Sequence, residues 1–491
     1  RKLRKVIPFG LAIMMSVSGV YPSTGVFAAQ QQISTNSKIK KESDTSDKED
    51  ATINRYLSPK KGFNTPKKSV SKQNTLKTTT TDSDAKEGEI GYKFTQEQTI
   101  NDTQKIRYEY TIIADGEVEL DCVSSVTADK LTFPSTVSLD DVTYKVTSAS
   151  LGFELGSHVK HLIVPEGVES VYKGGYMTNE IVTLPSTLKE INGSFYYDDS
   201  NWFNGSNSWK EQQSLKRFEL SNPENAKYFT VQDGILYNKD QTKLALPVPP
   251  QLEMDELTLP DTLQEIPDAA FQFTKIKKVI CGKNIISIGE GAFAGSDIEN
   301  IEMNDKITSI EQFAFEACKK LRHMELSAGL TKLSGWCTFS YTESLKHIDL
   351  KNIKTLNGTG TFLGSALEDI DISNVSDLTG EQPFVACDNL KSVYIGKNTD
   401  FTGDAGLGVN PFCGCDALEK YVEKEKNEHH LYVEDGKLYA SQMVGSMRNL
   451  DNAGYDDKYV TKLYHGKILV GYPFVQMVDD AKKNNGCLKI P

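Results

Sequence analysis

Cysteine is sparse in this chain, with 8 residues among 491, so disulfide bonds cannot be the main support of its fold. Positive charge is also in deficit. A net charge of -12 at pH 7 argues against general binding of nucleic acid, because contacts to phosphates need clustered lysine and arginine. After Ala28 the sequence contains no uninterrupted apolar run long enough to span a membrane.

Motifs of known catalytic chemistry are missing as well. The sequence has no Gly-x-Ser-x-Gly elbow, no His-Glu-x-x-His pair, no phosphate-binding loop and no dinucleotide fingerprint. Carboxylates are abundant, but none is distinguished by its spacing. The sequence therefore predicts a protein that is not an enzyme, with no catalytic residues, no metal ligands and no cofactor.

The amino-terminal segment has the features of a processing signal. "RKLRK" is basic, "VIPFGLAIMMSVSGV" is apolar, and "VFA" ending at Ala28 offers small residues for cleavage. We interpret residues 1–28 as a secretory signal peptide, with an uncleaved anchor as the alternative. Residues 29–88 are rich in Ser, Thr, Lys and Asp and poor in aromatics, which predicts a disordered spacer.

A repeat with a period of 22 to 24 residues, and one final gap of 28, organises most of the remaining chain. One phenylalanine recurs in every unit: Phe271, Phe293, Phe315, Phe339, Phe362, Phe384 and Phe412. A short alternating segment such as "KVICG" or "RHMEL" precedes each of them and supplies one apolar column: Leu257, Val279, Ile301, Met324, Ile348, Ile370 and Val393. Alternation predicts a short strand with one buried face, and the fixed period predicts that successive strands stack in a parallel sheet.

These units resemble the BspA-like leucine-rich repeats of bacterial surface proteins. The resemblance rests on "IGEGAFAGSDIENIEM", "IEQFAFEACKKLRHMEL" and "PFVACDNLKSVYI", and it extends over roughly residues 91–491. It implies a leucine-rich-repeat solenoid, a right-handed β/α superhelix with a parallel sheet along one face and inserted β-hairpins. It also implies a secreted protein on a bacterial cell surface that acts in adhesion.

Further segments complete the predicted organisation. Residues 89–130, with "YEYTIIADGEVELDC", predict an amino-terminal β-hairpin cap. Residues 131–422 are the solenoid, with insertions at 194–214 and 226–250, the second an Asp-Gly hairpin. Residues 423–491 contain a second inserted hairpin and the start of a further repeat, which suggests an array cut off at Pro491.

Four cysteines occupy repeat columns and are predicted to be buried core residues: Cys281, Cys318, Cys387 and Cys415. The last three each follow their phenylalanine by three residues. The alternative is a disulfide bond in an exported protein, formed between Cys318 and Cys337 or by Cys413.

Residues beside the buried columns are predicted to point onto the open face of the sheet, where they form a candidate binding surface: Glu302, His323, Glu325, His347, Asp349, Asp371 and Tyr394. We expect His323 and Glu325 to share this face, with His347 and Asp349 directly alongside. The surface has three interpretations: a solvated acidic face, a stripe that binds a cationic partner, or a metal site of two histidines and two carboxylates.

A second candidate surface is the insertion "SFYYDDSNWFNGSNSWKEQQS". It is rich in aromatic residues: Tyr196, Tyr197, Trp202, Phe203 and Trp209. Aromatics in a polar loop are common where proteins stack on sugars or contact other proteins. The alternative is that they anchor the loop to the solenoid.

Together these features predict an exported adhesion or ligand-binding module. Its partner would be a surface protein or glycan of a host or neighbouring cell, with cell-wall association and without nucleic-acid binding. Two alternatives remain open: a non-catalytic repeat scaffold of a larger exported enzyme with its catalytic domain beyond Pro491, and a structural stalk.

Overall fold

The computed structural model of the protein describes residues 85–86, 88–101, 104–172, 177–192, 214–378, 380, 383–399, 411–412, 415–428, 431–440 and 468–469. The predicted signal peptide and nearly all of the predicted spacer lie outside these ranges. Within them, every regular element is a β-strand. None of these residues forms a helix long and apolar enough to cross a membrane.

An antiparallel sheet begins the described chain. It consists of β1 (Lys93–Asn101), β2 (Gln104–Ala114) and β3 (Glu117–Val123), paired in that order. The tight turn between β2 and β3 contains Gly116 at a φ of 70°, a backbone conformation that suits glycine. The hairpin expected within residues 89–130 is formed by β2 and β3, and β1 adds a strand that the sequence pattern does not indicate.

The first irregular repeats form two sets of parallel strands, one of which continues the antiparallel sheet through β3 into a single seven-stranded sheet. In one of them β3 pairs with β6 (Val142–Ser150), followed by β8 (Ser170–Tyr172) and β10 (Glu190–Asn192), while β5 (Thr136–Leu139) pairs antiparallel with β6. The other contains β4 (Thr127–Thr132), β7 (His158–Ile163), β9 (Ile181–Leu184) and β11 (Arg217–Leu220). Their inward residues, such as Leu162 and Val182, are fully buried and in register.

An inserted hairpin separates two hydrophobic cores. It is formed by β12 (Phe229–Gln232) and β13 (Ile235–Asn238) around an Asp-Gly turn in which both residues have positive φ. Successive side chains of β13 point to opposite faces. Ile235 and Tyr237 pack into the core of the following repeats, while Leu236 packs into the core of the preceding ones.

A second hairpin follows the regular units and contacts the strand before it as the first hairpin does. It is formed by β26 (Leu431–Glu434) and β27 (Lys437–Ala440), and β27 also pairs with β28 (Ile468–Leu469). In both hairpins the turn glycine accepts a backbone hydrogen bond from the strand before it. Phe218 N–H donates to Gly234 O at 2.8 Å, and Tyr421 N–H donates to Gly436 O at 2.7 Å.

Most of the regular units begin with a short front strand. The front strands are β14 (Leu257–Thr258), β16 (Lys278–Ile280), β18 (Asn300–Glu302), β20 (His323–Glu325), β23 (Asp369–Asp371), β24 (Ser392–Ile395) and β25 (Lys420–Glu423). All of their pairings are parallel and in register, and the apolar column inferred from the sequence is buried, as Val279 and Ile301 illustrate.

A second line of strands lies within the same units. These side strands are β15 (Glu265–Ile266), β17 (Ser287–Ile288), β19 (Ser309–Ile310), β21 (Lys332–Leu333) and β22 (Thr355–Leu356). The prediction of a parallel sheet along one face was therefore incomplete. Each side strand has only two residues, too few for an alternating pattern to reveal it.

The third side of each unit is a turn around the recurring phenylalanine. The six rings from Phe271 to Phe384 and the ring of Phe412 are fully buried and stack with centroids 4.9 to 5.4 Å apart. Backbone donors in this turn bond to the next unit, as in Phe293 N–H to Ala314 O at 2.8 Å. The described connections are turns rather than α-helices, so the β/α part of the prediction is wrong for these residues, and the right-handed superhelix stays a prediction.

Candidate functional site

The outward side chains of the front strands form a surface that we call the front face. It is polar because strands such as β18 and β20 have only three residues, of which only the central one is buried. In β18 and β20 the central residues Ile301 and Met324 are 1% and 6% exposed, so the residues on either side of them point outward. Glu302, His323 and Glu325 are accordingly exposed on one face, with Glu302 and Glu325 paired in register.

The front sheet is interrupted where the next rung was expected. No strand forms over residues 346–350, and the sheet that ends at β20 is followed by a separate one that starts at β23. His347 and Asp349 are exposed, but they are not in a strand paired with β20, so their position directly alongside His323 and Glu325 stays a prediction. Met324 and Ile348 are 24 residues apart, whereas the other neighbouring front positions are 22 or 23 apart. The longer unit shifts this segment out of hydrogen-bonding register although Ile348 remains buried.

Most charges on this face are neutralised by neighbours. Lys278 contacts Glu302 at 2.6 Å and also pairs with Glu256. His347 Nδ1 lies 2.9 Å from an Asp369 carboxylate oxygen, and Lys351 Nζ lies 2.9 Å from Asp349.

The carboxyl of Asp371 pairs with Lys424, whose ammonium also lies 5.4 Å from the centroid of the Tyr394 ring. Two sequence-predicted residues are thereby joined through a lysine that the sequence reasoning missed. Lys424 is 53 residues from Asp371, and no repeat column relates them.

The pairings keep these carboxyl groups ionised. Partial burial raises the pKa of Asp349, but hydrogen bonds from Lys351 outweigh that effect and leave the pKa below its ordinary value. Asp371 behaves alike: burial raises its pKa, and hydrogen bonds from Lys424 and Ser373 lower it further than burial raises it. Hydrogen bonds to Glu302 and then Glu256 raise the pKa of Lys278.

Two members of the candidate surface stand apart. Within the described residues, His323 and Glu325 form neither an ion pair nor a hydrogen bond through their side chains, and both are exposed. They lie on β20, at the edge where the front sheet stops. The arrangement can present an imidazole and a carboxylate to a ligand without first breaking an internal contact.

A metal centre has no support in this geometry. Among the residues that the structure describes, no group of three or more histidine, cysteine, aspartate or glutamate side chains is placed to hold a metal ion. The front face therefore presents separate charges rather than a converging ligand set.

The cysteines serve the packing of the phenylalanine turns. Cys318 and Cys337 are both buried and free, so the disulfide alternative for this pair is wrong. The Cys318 thiol donates to the carbonyl of Phe293 in the preceding unit at 3.1 Å, and Cys387 repeats the contact with Phe362 at 3.1 Å. Burial raises the pKa of the Cys318 thiol to about 12, so it stays protonated and unreactive. Cys413 lies outside the described residues.

The aromatic insertion with Tyr196, Tyr197, Trp202, Phe203 and Trp209 also lies outside the described residues.

The sequence analysis missed a polar network on the sheet of the first repeats. His161 Nε2 lies 2.8 Å from the Thr183 hydroxyl, which donates to Glu219 at 3.1 Å, across three adjacent strands. Burial lowers the pKa of His161 despite the nearby Glu219. Alignment of the irregular units on Leu162, Val182 and Phe218 puts Thr183 and Glu219 in one column and His161 in another, so it reveals only part of this network.

Comparisons with known proteins agree with the repeat structure. A family model described as the BspA type leucine rich repeat region matches residues 251–357 and 335–427, with six copies. No curated protein is significantly similar to the chain.

Three solved structures are similar over much of the chain. The pneumococcal vaccine antigen PcpA aligns with 71% of this chain and 91% of its own, at 17% identity and a TM-score of 0.31. A leucine-rich repeat protein from Bacteroides ovatus aligns with 67% of this chain and 70% of its own, at 16% identity and a TM-score of 0.31. A leucine rich cell surface protein from Faecalibacterium prausnitzii aligns with 67% of this chain and 95% of its own, at 14% identity and a TM-score of 0.28. Over residues 251–427 the family model confirms the resemblance inferred from the repeat columns, and this segment matches the BspA type leucine rich repeat region.

Proposed function

We propose that the chain is an exported bacterial surface protein that binds a surface protein or glycan of a host or neighbouring cell. The binding surface would be the front face of the regular units, arranged as a right-handed solenoid. The BspA-type repeat region supports a surface repeat protein. The proposal includes cell-wall association and neither catalysis nor nucleic-acid binding.

The observation that carries the proposal is the exposed, unpaired couple on β20. The side chains of His323 and Glu325 face solvent and form no ion pair or hydrogen bond in the described part of the molecule, while Glu302 and Asp349 are held by lysines. A binding surface needs side chains that are free to contact a partner and a rigid backbone that positions them. Because Met324, between the two residues, is buried in the core, the couple sits on a fixed strand.

The test is cell binding by the labelled, purified chain, measured by flow cytometry. We expect H323A/E325S to bind at least about fivefold more weakly than wild type, since loss of contact residues near the centre of an interface costs about 1 kcal/mol or more. The control is E311S/K332A, which removes one exposed acid that follows β19 and one exposed base in β21. Equal binding by both variants and wild type would exclude the front face as the binding surface.

A further inference from the structure

Glu316 occupies a column that is apolar or neutral in the other described units. The residue after each recurring phenylalanine is buried throughout: Gln272, Ala294, Glu316, Ser340, Leu363 and Val385. The Glu316 side chain is 5% exposed, and its Oε2 atom has no hydrogen-bond partner. It also forms no ion pair within the described residues. An unpaired carboxylate in such a place is costly, because burial removes its hydration without supplying a counter-charge.

Three groups that interact electrostatically with Glu316 are themselves acids. These groups are Cys318 in the same turn and Cys337 and Tyr341 in the next unit. Burial raises the pKa of Glu316 from 4.5 to about 8, so the carboxyl is protonated in the closed structure at neutral pH.

The junction next to Glu316 has fewer backbone contacts than the junctions before it. The side strands β15, β17 and β19 form one sheet and β21 and β22 another, so no side-strand pairing links the Phe315 unit to the Phe339 unit. At the next junction, between the Phe339 and Phe362 units, no front strand of the Phe362 unit pairs with β20. Between Phe315 and Phe339 the backbone is linked by β18–β20 pairing, by hydrogen bonds from residues 322 and 323 to the carbonyl of residue 299, and by three turn hydrogen bonds, while the rings stack at 5.3 Å.

We propose that Glu316 makes this junction a pH-dependent joint, which stays closed while the carboxyl is protonated and opens more often as the carboxyl loses its proton. Its location follows from two independent features, a buried carboxyl without a partner and an interruption of the side sheet at the same place. The joint divides the array between the Phe315 and Phe339 units.

The direction of the pH effect follows from proton linkage. In the open form the carboxyl regains its ordinary pKa, so between about pH 5 and about pH 8 opening releases one proton. The opening equilibrium constant should therefore rise about tenfold per pH unit in that window. Below the window both forms are protonated, and above it both are ionised, so the opening constant should level off on either side.

Hydrogen exchange of the full chain, followed by mass spectrometry, tests this joint. Peptides covering residues 313–342 are compared with peptides covering residues 269–297, which contain a junction with both pairings, after correction for intrinsic exchange rates. From about pH 5.5 to about pH 7.5, protection of the first segment should fall about a hundredfold relative to the second in wild type. An equal change in both segments would overturn the proposal.

Two variants remove the carboxyl by copying residues that the chain already tolerates in this column. Glu316→Gln reproduces Gln272, and Glu316→Ala reproduces Ala294. Both should abolish the excess pH dependence of residues 313–342, and Glu316→Ala should raise protection above wild type at about pH 8. A pH dependence that persists in the folded variants would show that another group is responsible, and would also overturn the proposal.

Discussion

Between Gln104 and Leu220 the strands are three to eleven residues long, whereas between Leu257 and Ile395 they are two to four. The packing of aromatic rings also differs between the two regions. Phe133 and Phe153 in the first region meet at 55° with centroids 6.0 Å apart, while Phe315 and Phe339 in the second stack at 5° and 5.3 Å. The first region is held by long backbone ladders and the second by repeated side-chain columns.

The difference follows from regularity. Where units vary in length, as before Leu220, equivalent side chains cannot stack at a constant spacing, so the longer strands carry the inter-unit hydrogen bonds. Where the period is nearly constant, each unit adds one phenylalanine to the stack and at most two short strands to the sheets. Short strands tolerate an interruption such as that after β20, because the phenylalanine stack continues through it.

The largest contrast should come from the phenylalanine stack. Phe315→Ala removes a fully buried ring with stacked neighbours on both sides, and we expect the free energy of unfolding of the regular units to fall by about 3–5 kcal/mol. Because Phe315 and Phe153 belong to different cores, hydrogen exchange should speed up in residues 257–395 and not in residues 104–220. Phe153→Ala, the matched change in the first core, should reverse that pattern; equal loss in both regions would disprove two separable cores.

Glycines should distinguish the regions next. A Cβ at Gly358 would lie 2.2 Å from the Gly335 carbonyl oxygen of the preceding unit, so Gly358→Ala forces two backbones apart and should cost about 1–3 kcal/mol. Gly167 in the first region has open space but a φ of 102°, so Gly167→Ala meets backbone strain instead. In thermal unfolding, asparagine should be tolerated better than alanine at residue 167 and no better at residue 358. The opposite ranking at residue 358 would contradict steric contact between units.

The sequence was informative where a pattern repeats and uninformative where a single distance decides. Alternation around Val279 and Ile301 predicts the front strands because half of each strand must be buried. The side strand Ser287–Ile288 contains one apolar residue, so it has no alternation to detect. "KHIDL" alternates as "RHMEL" does, yet only the second forms a strand. Their difference lies in unit length rather than in residue type.

In the candidate site, too, the sequence predicts positions that a repeat column determines and does not predict single contacts. Outward placement of Glu302 and Glu325 follows from the buried column, and the structure places both there. The pairing of Asp371 with Lys424 joins residues 53 apart, and no local pattern encodes it. Glu316 could have been found, since alignment on Phe293, Phe315 and Phe339 puts a carboxyl in a column that otherwise contains no charge.

Cysteine columns should produce a smaller contrast. Cys318→Ala loses the hydrogen bond to Phe293 O and leaves a small void, and we expect a loss of about 1 kcal/mol in chemical denaturation. Cys318→Ser should lose less, since Ser296 fills the same position in the preceding unit. Cys122 in the first region is only half-buried and its thiol contact to Val123 O is 3.8 Å long, so Cys122→Ala should have little effect. Equal losses at residues 122 and 318 would refute a specific role for the turn column.

The smallest difference should come from surface ion pairs. Lys278 links Glu256 and Glu302 on either side of β16, whereas Lys160 in the first region pairs with Asp129 alone. The Lys278 side chain is 28% exposed and the other four groups are more than half exposed. Because surface pairs are screened by salt, Lys278→Ser should lower the melting temperature only slightly. The decrease should exceed that of Lys160→Ser, because two carboxylates then face each other across β16 without the lysine between them. In about 1 M salt both decreases should vanish, since the screening length falls to about 3 Å. A decrease that persisted at that salt concentration would assign the effect of Lys278 to packing of its alkyl chain rather than to its charge.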